Sequence, residues 1–491
     1  MRAQAIALPP LALLGLLLAG CAGLPPKPAA PVLPASVPLA TAPTDLAAQP
    51  GAPASAAAQA ASAATPAWPD AQWWRGFNDP ALDALEAQAL AASPDMAAAQ
   101  ARIDAAQAGL GAEQAAGGPS VGAGASAVRQ RLSDNGLFPP QFLGFHWYSD
   151  FQLGLKGTWS PDWWGKHRAE VAAAVGNLRA VQAEQSAARL ALSTSVASQY
   201  FGWQADTARA QLAQERVRSA EQGLALHRAR ADARIERDDT VGRAELELTG
   251  AKLVLQEART SRSLRRVALA ALAGTSPDEL PAFAERPLPE LDIGLPANAS
   301  LDLIARRPDL SAARWRVEAA ARKRDVARTA FLPTLTLNGV LGLESLTLRK
   351  LAEAGSAIPQ LGAQLQLPLF DSNSLHAGYA RSQADIDAAV AAYRSTLLTA
   401  AREVNGQLVT RQGLLGQSGL RAQQLAAAGA LRAAARARAD AGLTDLLPAL
   451  AADDQWLAQQ DAAVATHYAL LGSELDLVRA LGGGYRMEGT P

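Results

Sequence analysis

The chain has 491 residues, with 45 Lys and Arg against 46 Asp and Glu, a balance that excludes the basic excess of a nucleic-acid-binding protein. Apolar residues make up 49% but aromatics only 5%, and alanine dominates, which fits long, closely packed helices better than a bulky globular core. Its one cysteine, Cys21, excludes an intramolecular disulfide and any cysteine-rich metal site.

Residues 1–20 carry Arg2 and then an apolar run over 11–19. That run is too short for a bilayer-spanning helix, which needs about 20 apolar residues, and reads as a secretory signal peptide. Leu18-Ala19-Gly20-Cys21 resembles the lipobox of bacterial lipoproteins. The resemblance implies that Cys21 is acylated (palmitate) and becomes the new N-terminus, the only covalent addition expected. Ala22, where Asp would retain such a protein at the inner membrane, implies release to the outer membrane. Residues 21–67 are mostly Pro, Ala, Ser and Thr and cannot bury enough surface to offset their ordering entropy, so a flexible tether is expected up to Trp68. No later segment has the length of a membrane-spanning helix, so any crossing must use strands.

The body repeats itself. Pro94-Asp95-Met96, with Arg102-Ile103-Asp104-Ala105-Ala106 behind it, recurs 214 residues later as Pro308-Asp309-Leu310 and Arg316-Val317-Glu318-Ala319-Ala320. Gln199 and Arg230 match Gln407 and Arg438 at an offset of 208. A duplication is expected, with a first repeat over 68–290 and a second over 291–491. Each begins with a helix-like segment (80–115 and 300–330), continues into a β-hairpin (about 119–160 and 333–370), and ends in long helices (163–274 and 373–482). No proline falls between Pro161 and Pro277, or between Pro368 and Pro448, and the residues there are helix formers. One helix over 163–233 would extend about 100 Å. Val196, Tyr200 and Trp203 form one helical stripe, and Leu246, Leu253 and Val267 share a heptad phase.

The hairpins are the most informative stretch. Phe151, Leu153, Leu155, Gly157 and Trp159 alternate with polar or small residues, as do Leu335, Leu337, Gly339, Leu341 and Leu343, and then Leu361, Ala363, Leu365 and Leu367. Residues 121–132 give a weaker strand of Gly, Ala and Ser. Alternation over about 10 residues is the pattern of a membrane β-barrel strand, lipid on one face and a wet lumen on the other. Phe142, Phe145, Trp147, Tyr148, Trp159, Trp163 and Trp164 stand at the strand ends like an interfacial girdle. Four strands cannot close a barrel, and open edges are not tolerated in lipid, so several chains must share one; three would supply twelve strands. A soluble sheet packed on one side by helices is the competing reading, and it leaves the export signal unexplained.

Five motifs in order, Trp73-Trp74…Phe77-Asn78-Asp79-Pro80, Arg306-Arg307-Pro308-Asp309-Leu310, Phe331-Leu332-Pro333, Leu367-Pro368-Leu369-Phe370-Asp371 and Ala480-Leu481-Gly482-Gly483-Gly484-Tyr485, resemble the TolC-type outer-membrane efflux channels. More closely, they resemble the NodT-like lipoprotein factors of RND pumps, over residues 73–485. The resemblance implies a mainly α chain with a membrane β-barrel: a homotrimer whose four strands per chain build a twelve-stranded barrel and whose long coiled-coil helices build a periplasmic α-barrel. It implies a passive exit duct for small toxic compounds in the bacterial outer membrane, fed by an RND-type inner-membrane pump through a periplasmic adaptor. Helix-turn-helix tips would dock the adaptor and close the tube. The second tip, with Gly442, Leu443, Thr444 and Asp445, matches well; Gly442 suits a left-handed helix exit and Thr444 an N-cap for the next helix. The first tip departs, with Arg234 and Ile235 where a glycine turn is usual, which puts its turn geometry in doubt. Leu447 matches the constricting leucine of the gate. Ala451 stands where an aspartate is common, so Asp453 and Asp454 are the candidates for an acidic ring, against the ordinary reading of solvent-facing charges.

No catalytic pattern appears, and no cofactor, metal or nucleic-acid partner is implied. The five histidines (His146, His167, His227, His376, His467) are scattered without HExxH spacing. The glycines at 482–484 follow a helix and open none, so they read as a helix stop. Two other functions fit parts of the pattern. A type I protein-secretion duct shares the fold but is usually not acylated, and a non-transporting trimeric coiled-coil surface lipoprotein would need no lipid-facing alternation.

Overall fold

The computed structural model describes residues 24–26, 29–34, 36, 39, 68–135, 140–291, 296, 299–369 and 371–486. The signal segment, Cys21 and most of the expected tether lie outside the described residues.

After a 3-10 turn at Trp73–Phe77 come α1 (Pro80–Ala92) and α2 (Pro94–Ala116), then β1 (Ser120–Arg131), a single helical turn at Pro140–Leu143, and β2 (Trp147–Trp159). Two long helices follow, α3 (Lys166–Asp232) and α4 (Asp238–Leu272). The order then recurs as α5 (Ala299–Arg306), α6 (Pro308–Thr329), β3 (Thr334–Ser345), β4 (Ala357–Gln366), α7 (Ser372–Asp440) and α8 (Leu447–Ala480). The expected single helices over 80–115 and 300–330 are each broken in two. Pro94 and Pro308 cause the breaks: a proline disfavours helical backbone in the residue before it and starts a helix well as its first residue. Ser93 is extended, with ψ 127°. The repeated motif thus marks the first residues of two corresponding helices, α2 and α6.

The chain divides into two compact units, one of 1–33, 103–181 and 313–393 and the other of 34–102, 182–312 and 394–491. Each unit draws on both repeats, so the duplicated halves are not themselves the compact bodies.

The first unit holds an antiparallel sheet in the order β1-β2-β3-β4. Its register keeps like with like: Leu153 opposes Leu343, Leu155 opposes Leu341, Trp159 opposes Leu337 and Leu335 opposes Leu365. One face is therefore mainly apolar, with Phe151, Leu153, Leu155, Leu341 and Leu361 along it and Arg129 and Arg131 at one end, and the other carries Gln152, Lys156, Thr158, Asn338, Gln360 and Gln364 beside Val340 and Ile358. The apolar face is open, with Leu341 64% and Leu361 89% exposed. Gly154 pairs with Gly342, and a Cβ on Gly154 would lie 2.7 Å from the Gly342 Cα, so only glycine lets these strands close at that point. Trp164 Nε1 donates to the Pro333 carbonyl at 2.7 Å, which ties the end of β2 to the start of β3.

The second unit is built on an aromatic core. Trp74, Leu82, Leu85, Val196, Tyr200, Phe201, Trp203, Leu269, Phe283, Leu471 and Leu475 are all buried in it. The stripe of Val196, Tyr200 and Trp203 is thus core. The Asp79 side chain accepts the Ala81 N–H as the N-cap of α1 and also the Tyr200 hydroxyl at 2.7 Å. Burial and this bond push the Tyr200 phenol up to about 12. A second anchor is Arg307, whose guanidinium takes Asp309 in bidentate fashion, Glu403 at 2.8 Å and the Ala480 carbonyl at 2.9 Å. It joins α6, α7 and the end of α8, and every charge it brings inside is answered.

Glu86 is the exception. It is fully buried, and neither carboxyl oxygen has a hydrogen-bond partner. Burial pushes its carboxyl up to about 9, Arg189 opposing and Asp83 assisting. The folded chain therefore keeps a proton that the unfolded chain releases above its ordinary value of 4.5. Stability should fall as pH rises from the ordinary value towards the raised one, then level off. Glu86→Gln should remove this slope and raise stability at pH 8 by roughly 5 kcal/mol. Thermal unfolding of both proteins between pH 5 and pH 9 checks this, and equal slopes would contradict it.

Candidate functional site

The candidate site lies in the second unit, where the α3–α4 and α7–α8 hairpins turn. α7 ends at Asp440; Gly442 then takes φ +68° and the Leu443 N–H returns to the Arg438 carbonyl at 3.0 Å, closing a Schellman-type stop. The first tip has the same geometry without the glycine. Arg234 sits at φ +60°, and the Ile235 N–H bonds the Arg230 carbonyl at 2.8 Å. The arginine changes the residue and leaves the turn intact, at the price of left-handed strain of about 1 kcal/mol. Neighbouring contacts hold it, because Glu236 receives His227 Nδ1 at 2.7 Å and lies 3.5 Å from Arg230. Ile235 and Leu443 project from matching positions, 69% and 75% exposed.

Thr444 is not the N-cap of the next helix. α8 begins at Leu447 after Leu446, which makes no side-chain cap, and the Leu447 N–H is taken by Asp445 Oδ1 at 3.1 Å instead. Proline in the first turn, Pro448, removes a donor that would otherwise need a partner. Asp445 also binds one tip to the other, because its Oδ2 pairs with Arg230 Nη1 at 2.7 Å.

Asp453 and Asp454 are both engaged within the chain, so neither stands as the free carboxylate of an acidic ring. They are adjacent on α8 and face different partners. Asp453 is 5% exposed and bonded to Arg432, at 2.7 Å, and to Arg436 of α7. Burial alone would raise its carboxyl, but the bonds from Arg436 and Arg432 outweigh that and hold it below the usual 3.8. Its contribution is thus fully present above the ordinary carboxylate value and is lost only in stronger acid. Arg432 also lies over the Trp456 ring at 4.0 Å. Asp454 takes Arg216 of α3 through two bonds of 2.7 and 3.1 Å. One heptad along, Arg209 grips Asp461 the same way, at 2.8 and 3.2 Å. Arg209 and Arg216 run down α3 while Asp461 and Asp454 run up α8, an antiparallel ladder that Arg230–Asp445 ends at the tip. The heptad spacing of these arginines and aspartates was readable in the sequence; their partnership was not.

Between α3, α4 and the start of α8 is a cavity of about 730 Å³, lined among others by Arg216, His227, Glu247, Asp445, Leu447 and Asp454. Leu447 is half-buried at its edge. Among the described residues no group of three or more His, Cys, Asp and Glu could hold a metal, and no helix is long and apolar enough to cross a membrane.

The outer membrane efflux protein family model matches residues 85–275 and 300–483. The chain belongs to this family. The multidrug resistance outer membrane protein MdtP of Escherichia coli K12 is 31% identical over 426 residues, covering 85% of this chain and 87% of the relative. Among solved structures, the outer membrane protein VceC of Vibrio cholerae is 30% identical with a TM-score of 0.76, covering 85% of this chain and all of that one. The CmeC outer membrane channel of Campylobacter jejuni, at 24% identity, shows the same fold with a TM-score of 0.82 over 95% of this chain and 96% of that one. This outer membrane efflux protein is accordingly a TolC-like channel component and not an enzyme. The two matched stretches fall one in each sequence repeat.

Arg234→Gly should relieve the left-handed strain and slow backbone exchange over residues 230–238 by up to about five-fold, the equivalent of about 1 kcal/mol. Hydrogen–deuterium exchange measures it; faster exchange would mean that the Arg234 side chain, not the backbone, holds the turn.

Proposed function

We propose that three copies of this outer membrane efflux protein close one twelve-stranded barrel and one α-barrel of long helices, forming the exit duct of a tripartite pump. A periplasmic adaptor and an RND-type inner-membrane transporter feed it, and the cargo is small toxic compounds of several chemical kinds, as the names of its multidrug-resistance relatives suggest. The observation that carries this reading is the two-faced sheet: a face that is apolar along most of its length, a more polar face, and unpaired outer edges on β1 and β4. Hydrocarbon suits the first, a water-filled lumen the second, and only neighbouring copies can satisfy the third. Exposed apolar residues along α4, among them Leu246 and Leu253 of the heptad stripe with Leu264 and Val267, offer the helices a matching face for neighbouring copies.

Residues 1–20 act as the signal peptide in this reading, and acylated Cys21 anchors the N-terminus in the inner leaflet of the outer membrane. The tips bearing Arg234, Ile235, Gly442, Leu443, Thr444 and Asp445 meet the adaptor. Leu447, with Asp453 and Asp454 behind it, holds the periplasmic end shut. The ladder from Arg209–Asp461 to Arg230–Asp445 favours the resting state, and adaptor contacts that compete for these side chains shift the population towards a dilated one.

Single-channel conductance in planar bilayers tests the gate. The wild-type channel should conduct poorly, and Leu447→Ser should open it. Arg216→Ala and Asp454→Ala should each raise open probability about five-fold, with little further gain in the double variant, as expected for one partly exposed pair of about 1 kcal/mol. Additive gains would show that the two residues act apart. Wild-type conductance already at its maximum would refute a closed resting state, and no current at all would refute the duct.

A further inference from the structure

The stretch behind Cys21 reads in sequence as slack, yet residues 24–26 and 29–34 occupy defined positions in the structure. Pro25 is buried, and Leu24, Pro31 and Leu33 are half-buried. One contact fixes the segment. Arg328 Nε donates to the Pro25 carbonyl at 2.9 Å, across a sequence separation of 303 residues. Both residues belong to the compact unit that contains the sheet.

The chemistry of the segment explains why its partner is an arginine. Pro25, Pro26, Pro28, Pro31 and Pro34 leave few backbone N–H groups, so the segment cannot join a sheet or a helix. It can still accept at its carbonyls, and a proline-rich chain held near polyproline II loses little entropy on docking. A donor from the folded body is what such a strap needs. Arg328 lies in the last turn of α6, one residue before the helix ends and six before β3 begins. The contact is therefore made at the junction where a helix hands over to a strand.

We infer that residues 24–26 and 29–33 belong to a docked strap and not to a free tether, and that Arg328 is the clamp that holds it. The consequence for Cys21, which rests on the acylation reading above, follows from chain length. Pro25 is four positions on from Cys21, a reach of at most about 14 Å. The lipid then enters the leaflet within that distance of the clamp, beside the base of the chain's own sheet. An anchor on a free tether of 21–67 could insert anywhere around the barrel; this one is assigned a place.

The test is a nitroxide label on Ala30→Cys in the full-length protein, read by continuous-wave electron paramagnetic resonance. Acylation blocks the only native thiol, so the label reports one site. Wild-type background should give an immobilised spectrum. Arg328→Ala should shorten the rotational correlation time by about three-fold or more, into the range of free loops, with Arg328→Lys in between because an ammonium can still donate one bond. Pro25→Gly/Pro26→Gly should mobilise the label while leaving the folded body untouched, which guards against a clamp variant that simply fails to assemble. A mobile label in the wild-type background, or an immobile one after Arg328→Ala in protein of normal assembly, overturns the inference. Intact-mass spectrometry separates the underlying reading: without acylation the lipid mass is missing and a second labelled site appears, removed by Cys21→Ala, while the Ala30→Cys spectrum still decides the strap.

Discussion

The sheet sets the terms for everything else. Its four strands leave backbone donors and acceptors unpaired on β1 and β4 and one face apolar along most of its length. Each unpaired backbone group in hydrocarbon costs several kcal/mol, so the sheet is stable in a membrane only when further copies complete it. Each strand is joined to a helix within a few residues: α2 to β1, β2 to α3, α6 to β3 and β4 to α7. In the proposed assembly, one copy number closes the sheet and gathers the helices. Alanine is abundant for the same reason, because many helices brought side by side need small side chains between them.

The element order occurs twice in the chain, and the two versions of each part differ where local chemistry allows. Both tips use the same left-handed stop, but Gly442 adopts it freely and Arg234 adopts it under strain. Around Arg234 the strain is offset by the His227–Glu236 and Arg230–Glu236 contacts. Around Gly442 there is little to offset, and Asp445 is left to cap α8 and reach the other tip. The first tip therefore depends on its side chains and the second on its backbone.

Much of this was legible in the sequence, for physical reasons. Leu153, Leu155, Leu341 and Leu365 announce their face because period two is visible over a single strand. α3 and α7 are announced by the absence of proline. The positions of Pro94 and Pro308 were visible as a repeat, but their effect in splitting the helices required weighing the residue before each proline. The cap of α8 is ambiguous in sequence because Thr444 and Asp445 are both good caps and nothing local chooses between them. The partners of Asp453 and Asp454 were hidden for a different reason. Arg216 is 238 residues from Asp454 in sequence, and arginines are spread along every helix. The same holds for Arg307 with Glu403 and for Arg328 with Pro25, where only the fold selects one partner from many.

The two ends of the second unit are held by interactions of different strength, a difference that the proposed gate requires. Near Tyr200 the core buries whole aromatic and leucine side chains, each worth about 1.5–3 kcal/mol, and Tyr200 is further tied to Asp79. Near the tips the links between hairpins are ion pairs whose members are partly exposed, 26% and 47% for Arg216 and Asp454, and such pairs are worth about 1 kcal/mol or less. A force or a competing ligand that cannot disturb the core can separate the ladder, one pair at a time, without unmaking either hairpin. Within the α7–α8 hairpin the buried Asp453 behaves otherwise: Arg432 and Arg436 both bond it, removing it would strand two arginines, and it ties α7 to α8. In the proposed gate the charges that open are therefore the exposed ones between hairpins, and the buried Asp453 keeps the α7–α8 hairpin rigid.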